Sequence, residues 1–262
     1  MNKKYRNTFC ILIIIMSVGI GLLFLGDKKT ELPNIDTNKN EVQQENNNTL
    51  HDQLENEVII DDINEEFFTT LDNTQLINDH VYSYIDIENT KVSFPILQHP
   101  SDDSYYLRRD IERNDHSAGV IYSESINNSD YSDKLTILYG HDNDREEMFA
   151  NLRSYYDSEY INDNKIIDIY LDDKKLEYEI FASVVYDDRY IPYKYDFSNT
   201  QSVQAFVNSL NDFDDRKDSN ILEQIELQDD DKLLVLSTCY KFDSSKRFLV
   251  VSKLKNTIIK NS

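Results

Sequence analysis

The chain has 262 residues, 49 of them acidic and 27 basic, which gives a formal net charge of -22. A surface this acidic does not attract a phosphate backbone, so nucleic acid is excluded as an expected partner. The hydrophobic fraction of 39% and the aromatic fraction of 11% suffice for a folded core, which excludes a wholly disordered chain.

The N-terminal segment predicts a membrane anchor. Residues 1–8 include Lys3, Lys4 and Arg6, and they precede an apolar run over residues 9–26 that is close to the minimum length for crossing a bilayer. No small-x-small cleavage site follows this run, which favours an uncleaved signal anchor over a cleaved signal peptide. The positive-inside rule then predicts a single-pass protein with a cytoplasmic N-terminus and an extracellular body.

The next segment predicts a spacer that leads into the folded domain. Residues 27–62 are rich in Asn, Asp, Glu, Gln and Lys, which is typical of a solvated extracellular linker. The folded domain is predicted over residues 63–262. Its first part, Ile63–Asn78, has apolar residues at helical spacing, which predicts one or two amphipathic helices that cover a sheet edge.

Short runs with strand-like composition dominate the predicted domain, and their number favours a barrel or a sandwich. Eight strands are predicted, at Val81–Ile87, Val92–Leu97, Gly119–Tyr122, Leu135–Tyr139, Ile166–Leu171, Leu176–Val185, Leu233–Leu236 and Phe248–Leu254. Helical patterns interrupt the strands at Arg145–Tyr156 and Val203–Leu210, with a weaker one at Ile221–Ile225. The fold class predicted from this pattern is mainly β.

Cysteine usage singles out one residue. Cys10 lies in the predicted anchor, so Cys239 is the only cysteine of the predicted extracellular domain. A free exported thiol is either buried as a small apolar group or used as a nucleophile, and composition alone favours burial. The position favours reactivity, because Cys239 follows directly on the apolar run Leu233–Leu236 and therefore lies at the end of a buried strand.

A histidine and an arginine occupy comparable positions at strand ends. The predicted strand Leu135–Tyr139 leads through Gly140 into His141, and Arg247 opens the strand that follows Cys239. Taken singly, each is more often an ordinary surface residue. Together they suit acyl transfer, because a thiolate attacks, an imidazole exchanges a proton and a guanidinium stabilises an oxyanion.

These residues lie within segments that resemble a known family. The segment Leu236-Ser237-Thr238-Cys239 resembles the active-site signature of sortases, and Tyr139-Gly140-His141 resembles the segment that carries their catalytic histidine. Arg247 falls where the family has its essential arginine. Further stretches between Val81 and Leu254, such as Ala118-Gly119-Val120-Ile121-Tyr122, are similar to class B sortases in particular.

The resemblance implies a fold. Class B sortases have an eight-stranded sortase-type β-barrel with N-terminal helices and a helix-containing insertion between strands 6 and 7. In this chain, the segment from about Asp187 to Asp231 is expected to form the insertion, since it lies between the sixth and seventh predicted strands.

The resemblance also implies a reaction, that of a cysteine transpeptidase without metal or cofactor. Cys239 would cleave the C-terminal sorting signal of a surface protein, of the LPXTG or NPQTN type, and an amine of a peptidoglycan precursor, either lipid II or its cross-bridge, would resolve the thioacyl enzyme. His141 would act as acid and base or as an imidazolium partner, and Arg247 would stabilise the oxyanion or orient the peptide. Thr238 and Ser237 are expected to contact the substrate.

Two alternatives stay open on the sequence alone. A thiol peptidase would use Cys239 and His141 but release its product to water, and a non-catalytic surface-binding protein would not need the thiol.

Asp142 stands where class B members commonly have Asn, which predicts a negative charge close to His141. The segment Tyr186–Tyr190 is acidic and rich in tyrosine, so it is either a solvated loop or part of a peptide groove.

Overall fold

The computed structural model describes residues 65–260, except for residues 144, 146 and 213–215. The predicted cytoplasmic segment, the anchor over residues 9–26 and the spacer over residues 27–62 lie outside this range. Among the described helices, none combines the length and the apolar character needed to span a bilayer.

Strands make up most of the described chain. Its nine strands are β1 (Val81–Asp86), β2 (Ser93–Leu97), β3 (Ile121–Tyr122), β4 (Leu135–Tyr139), β5 (Ile166–Tyr170), β6 (Lys174–Asp187), β7 (Asn220–Ile221), β8 (Leu233–Tyr240) and β9 (Asp243–Ile259). The described α-helices are α1 (Glu65–Ile77), α2 (Ser158–Asp163), α3 (Ile191–Lys194) and α4 (Thr200–Ser209), and short 3-10 helices span Tyr105–Arg108, Phe149–Tyr156 and Arg216–Asp218.

Eight of these strands close into a barrel. Hydrogen bonds connect them in the order β5-β1-β2-β3-β4-β8-β9-β6, and β6 pairs back onto β5. The pairs β2–β3 and β4–β8 are parallel, whereas the other pairs are antiparallel. The remaining strand, β7, adds to β6 outside the closed ring. The predicted eight-stranded, mainly β barrel is therefore confirmed.

The strand that carries Cys239 is buried on both faces. Leu234 and Leu236 belong to the cluster of apolar side chains inside the barrel. Leu233 and Val235 belong to a second cluster, which also contains Phe206 of α4. Because side chains alternate along a strand, covering both faces produces a continuous apolar run in the sequence. Helix α4 therefore explains why β8 is apolar throughout.

The segment between β6 and β8 contains α3, α4 and β7, as expected for the predicted insertion. The prediction of a helix over Ile221–Ile225 is wrong. The chain there is extended, because Leu222 donates its N–H to the carbonyl of Phe181 on β6 at 2.9 Å. Gln204 of α4 fixes the extended chain that follows β7 by donating a side-chain N–H to the carbonyl of Ile225 at 3.1 Å. Pairing with the barrel has overridden a weak helical pattern.

Two other helix predictions need correction. The pattern over Arg145–Tyr156 forms a 3-10 helix only from Phe149 onward, after Met148 adopts a positive φ of 52° that an α-helix does not allow. At the N-terminal end of the described range, α1 packs Phe68 and Leu71 against Tyr170 of β5. The helix covers an outer face of the barrel instead of a sheet edge, because ring closure leaves no edge at β1 and β5.

Candidate active site

Cys239 and Arg247 are cross-strand partners. Cys239 is the penultimate residue of β8, and it lies opposite Arg247 in the antiparallel ladder with β9. Directly opposed residues have Cβ atoms about 4.5–5.5 Å apart and point to the same face. Cys239 is a partly exposed free thiol. The Nη1 of Arg247 donates to the carbonyl of Ser244 at 3.2 Å and to that of Lys246 at 3.1 Å, which fixes the guanidinium beside the hairpin.

His141 reaches the same edge from the neighbouring strand. β4 and β8 run parallel with Tyr139 opposite Ser237, and the N–H of Gly140 donates to the carbonyl of Ser237 at 3.2 Å. A Cβ on Gly140 would lie 2.7 Å from the ring of Phe149, so only glycine fits at the turn that presents His141. The parallel register therefore carries the imidazole to the end of β8, where Cys239 lies.

A main-chain carbonyl holds the imidazole of His141. Its Nε2 lies 2.8 Å from the carbonyl oxygen of Leu107. Because a carbonyl oxygen only accepts hydrogen bonds, Nε2 carries the proton, and Nδ1 carries none in the neutral imidazole. Gly119, with a positive φ of 57°, makes room for this carbonyl, since a Cβ there would lie 2.6 Å from the same oxygen. Sequence reasoning missed Leu107, because its side chain does not carry the interaction.

The carboxylate of Asp142 is compensated by a cation. Its side chain is only 2% exposed and forms an ion pair with Arg153. The Nε of Arg153 donates to Oδ2 of Asp142 at 3.0 Å, and its Nη2 donates to the carbonyl of Asn143 at 3.2 Å. The negative charge expected next to His141 is thus bound to Arg153 and anchors the loop that follows the histidine.

The predicted residues open onto one cavity of about 280 Å³. Cys239, His141, Arg247, Ser237 and Thr238 all line it. Ser237 lies on the same face of β8 as Cys239. Thr238 lies on the other face, together with Leu234 and Leu236, and this face points into the barrel interior. The Oγ1 of Thr238 has no hydrogen-bond partner in the described part of the chain. Tyr186–Ile191, at the end of β6 and the start of the insertion, also line the cavity, so the acidic tyrosine-rich segment is part of it.

The cavity is also lined by a carboxylate, that of Glu124, which no sequence motif indicates. Glu124 lies two residues beyond β3, and its Oε2 accepts hydrogen bonds from Tyr190 and, at 3.5 Å, from Tyr139. Burial is the main cause that raises the pKa of Glu124, and the nearby charge of Asp103 adds to it. Burial and the charge of Glu124 also raise the pKa of Tyr139 and of Tyr190, so both tyrosines are neutral donors.

Comparison with known proteins identifies the family. The family model of the Sortase domain matches residues 85–255. The chain belongs to the sortase family. Sortase B of Listeria monocytogenes is 25% identical over 203 residues, which cover 72% of this chain and 80% of that relative. Sortase B of Staphylococcus aureus is 29% identical over 184 residues, which cover 68% of this chain and 71% of that relative.

The solved structures agree with this assignment. The crystal structure of Staphylococcus aureus sortase B aligns with a TM-score of 0.60 and 26% identity, covering 71% of this chain and 86% of that one. The protein is therefore a class B sortase, as the sequence motifs predicted. Sortases are cysteine transpeptidases that act on the sorting signals of surface proteins at the Gram-positive cell surface, so this sortase is an enzyme of that type.

Proposed function

We propose that this sortase cleaves the C-terminal sorting signal of a surface protein through a thioester on Cys239 and transfers the new carboxyl end to an amine of a peptidoglycan precursor, either lipid II or its cross-bridge. The observation that carries the proposal is the cross-strand pair of Cys239 and Arg247 beside His141. The three side chains supply a nucleophile, a cation and a proton carrier at one open cavity.

The first half-reaction forms the thioester. The thiol of Cys239 gives its proton to Nδ1 of His141, the resulting thiolate adds to the scissile carbonyl carbon, and the carbonyl π electrons move onto the oxygen. Arg247 stabilises this oxyanion by charge and hydrogen bonding. When the intermediate collapses, the C–N bond breaks and the leaving nitrogen takes a proton from Nδ1 of His141. Ser237 and Thr238 border the same space and are proposed to contact the peptide.

The second half-reaction reverses these roles. The acceptor amine adds to the thioester carbon, and Nδ1 of His141 removes the proton that the amine loses. The C–S bond then breaks, Cys239 leaves as thiolate and an amide remains as product. A thiol peptidase would share the first half and use water in the second, so the nature of the acceptor decides between transfer and hydrolysis.

The proposed location follows from the N-terminal sequence. Residues 9–26 are proposed as the membrane anchor, residues 27–62 as the spacer and residues 63–262 as the extracellular catalytic domain. Support comes from the basic residues before the apolar run and from the polar composition after it. This arrangement would hold the active site within reach of membrane-linked precursors.

The test is the fate of the acyl group. The full chain, purified in detergent, is incubated with LPXTG-type and NPQTN-type peptides, with and without oligoglycine or a diamino-acid peptide, and the products are weighed by mass spectrometry. We expect an amine adduct in place of the hydrolysed acid. Acid alone at saturating amine would favour the peptidase, and no cleavage of any peptide would favour the surface-binding protein.

Replacing Arg247 is expected to slow acylation without unfolding the protein. Loss of an oxyanion donor costs about 10²–10³ in rate, so Arg247→Ala should lower kcat/KM by that factor. Arg247→Lys should restore only part of it, because a point charge lacks the planar fork of a guanidinium. Peptide cleavage rates measure both, with Lys241→Ala in the same hairpin as the control. An unchanged rate in Arg247→Ala would remove the guanidinium from the mechanism.

A further inference from the structure

Glu124 lines the same cavity as the nucleophile and lies at its β3 side, within reach of a bound peptide. The strand order places β3, β4, β8 and β9 side by side, so the cavity crosses their ends. Cys239 lies on β8, and Glu124 lies just beyond β3, two strands away. Neighbouring strands are about 4.8 Å apart, which gives about 10 Å across the sheet. The register adds about 13 Å along the strands, because Tyr122 is level with Ser237 and the chain continues from these two residues in opposite directions to Glu124 and Cys239. An extended peptide covers the resulting span of roughly 16 Å with about five residues.

One oxygen of Glu124 is available to a ligand. The hydroxyls of Tyr139 and Tyr190 both donate to Oε2. Oε1 accepts no hydrogen bond from any residue that the structure describes. A carboxylate held in place by two neutral phenols, with one oxygen unused, is an acceptor for a strong N–H donor.

The charges along the cavity have opposite signs at its two ends. Arg247 lies at the β9 end and forms no ion pair with a described residue, whereas Glu124 lies at the β3 end. At the end of β6, Asp187 accepts hydrogen bonds at 2.6 Å on both carboxylate oxygens from Nε of Arg189, so these two charges compensate each other. Glu124 therefore leaves the β3 end of the cavity negative.

We propose that Glu124 is a specificity-determining residue that selects sorting signals with a basic side chain about five residues from the scissile bond. The inference rests on the proposed function and specifies its substrate. The cation is a side chain of the sorting peptide and not the acceptor amine, because the acceptor must reach the thioester as a free base and a neighbouring carboxylate would favour its ammonium form. A basic side chain of the sorting peptide takes no part in the reaction, so it stays charged and paired with Glu124 in both half-reactions.

A peptide scan tests this assignment on the full chain in detergent. Each position on both sides of the scissile bond is occupied in turn by lysine, by norleucine, which has nearly the same length without the charge, and by glutamate. We expect kcat/KM to favour lysine over norleucine by about tenfold at one position and to be lowest for glutamate. The Glu124→Gln variant keeps an acceptor for the two tyrosines and should reduce the lysine preference to within about twofold.

Two controls isolate the role of Glu124. Glu159→Gln removes an equal charge from an exposed position on α2 and should leave the lysine preference unchanged. The readout is the ratio of kcat/KM for the lysine and norleucine peptides, because a merely structural role of Glu124 would lower both values by the same factor and leave the ratio unchanged. Equal rates for lysine and norleucine in the parent, or a lysine preference that survives Glu124→Gln, would overturn this inference alone. No cleavage of any peptide would overturn the proposed function as well.

Discussion

The Cys239→Ala variant is expected to lose peptide cleavage and transfer by at least about 10⁴-fold, the largest effect of any single substitution in this protein. The thiolate provides the electron pair that forms the acyl–enzyme bond, and no neighbouring group replaces it. Cys239 is the only cysteine in the described part of the chain. Intact-mass measurement should show the acyl fragment on the parent protein and none on the variant.

The second cysteine of the sequence provides the matched control. Cys10→Ala removes a thiol from the predicted anchor and should leave both the adduct and the rate unchanged. Pre-treatment with an alkylating agent should inactivate the parent and Cys10→Ala alike, because the reactive thiol is partly exposed at the cavity. An acyl adduct on Cys239→Ala would place the nucleophile elsewhere and contradict the proposed mechanism.

The strands could be predicted because their composition follows directly from their burial. β8 is covered by the barrel interior on one face and by α4 on the other, and the result is the uninterrupted run Leu233–Leu236. The short strand β7 could not be predicted, since its two residues gain their extended conformation only by pairing with Ala182 and Ser183 of β6. Where a segment depends on a distant partner, local periodicity does not indicate its conformation.

The same distinction applies to the site. Cys239, His141 and Arg247 could be selected because each combines a reactive side chain with a position at a strand end. The carbonyl of Leu107 and the carboxylate of Glu124 could not, because loops between strands bring them to the cavity. Asp142 shows the limit most clearly. Its neighbour in the sequence is His141, but its partner in the structure is Arg153, eleven residues further along the chain.

The second large effect is expected for His141. His141→Gln should lower kcat/KM by about 10²–10⁴, because a side chain amide exchanges no proton at neutral pH. Glutamine keeps an N–H that can donate to the carbonyl of Leu107, so this variant separates proton transfer from orientation. His116→Gln is the control for loss of a histidine elsewhere in the described chain, since His116 lines a different cavity and not that of Cys239. A His141→Gln variant with nearly full activity would mean that His141 acts only as a hydrogen-bond donor.

The hydrogen bond to Leu107 also predicts which nitrogen of His141 reacts. If Nε2 is bound as a donor at 2.8 Å, the neutral imidazole has a bare Nδ1, and proton exchange takes place there. Nitrogen NMR of the protein labelled at histidine should show a protonated Nε2 and an unprotonated Nδ1 for this residue in its neutral form. The opposite tautomer would contradict the contact with Leu107, since two acceptors would then face each other, and it would transfer the proposed acid–base role to Nε2.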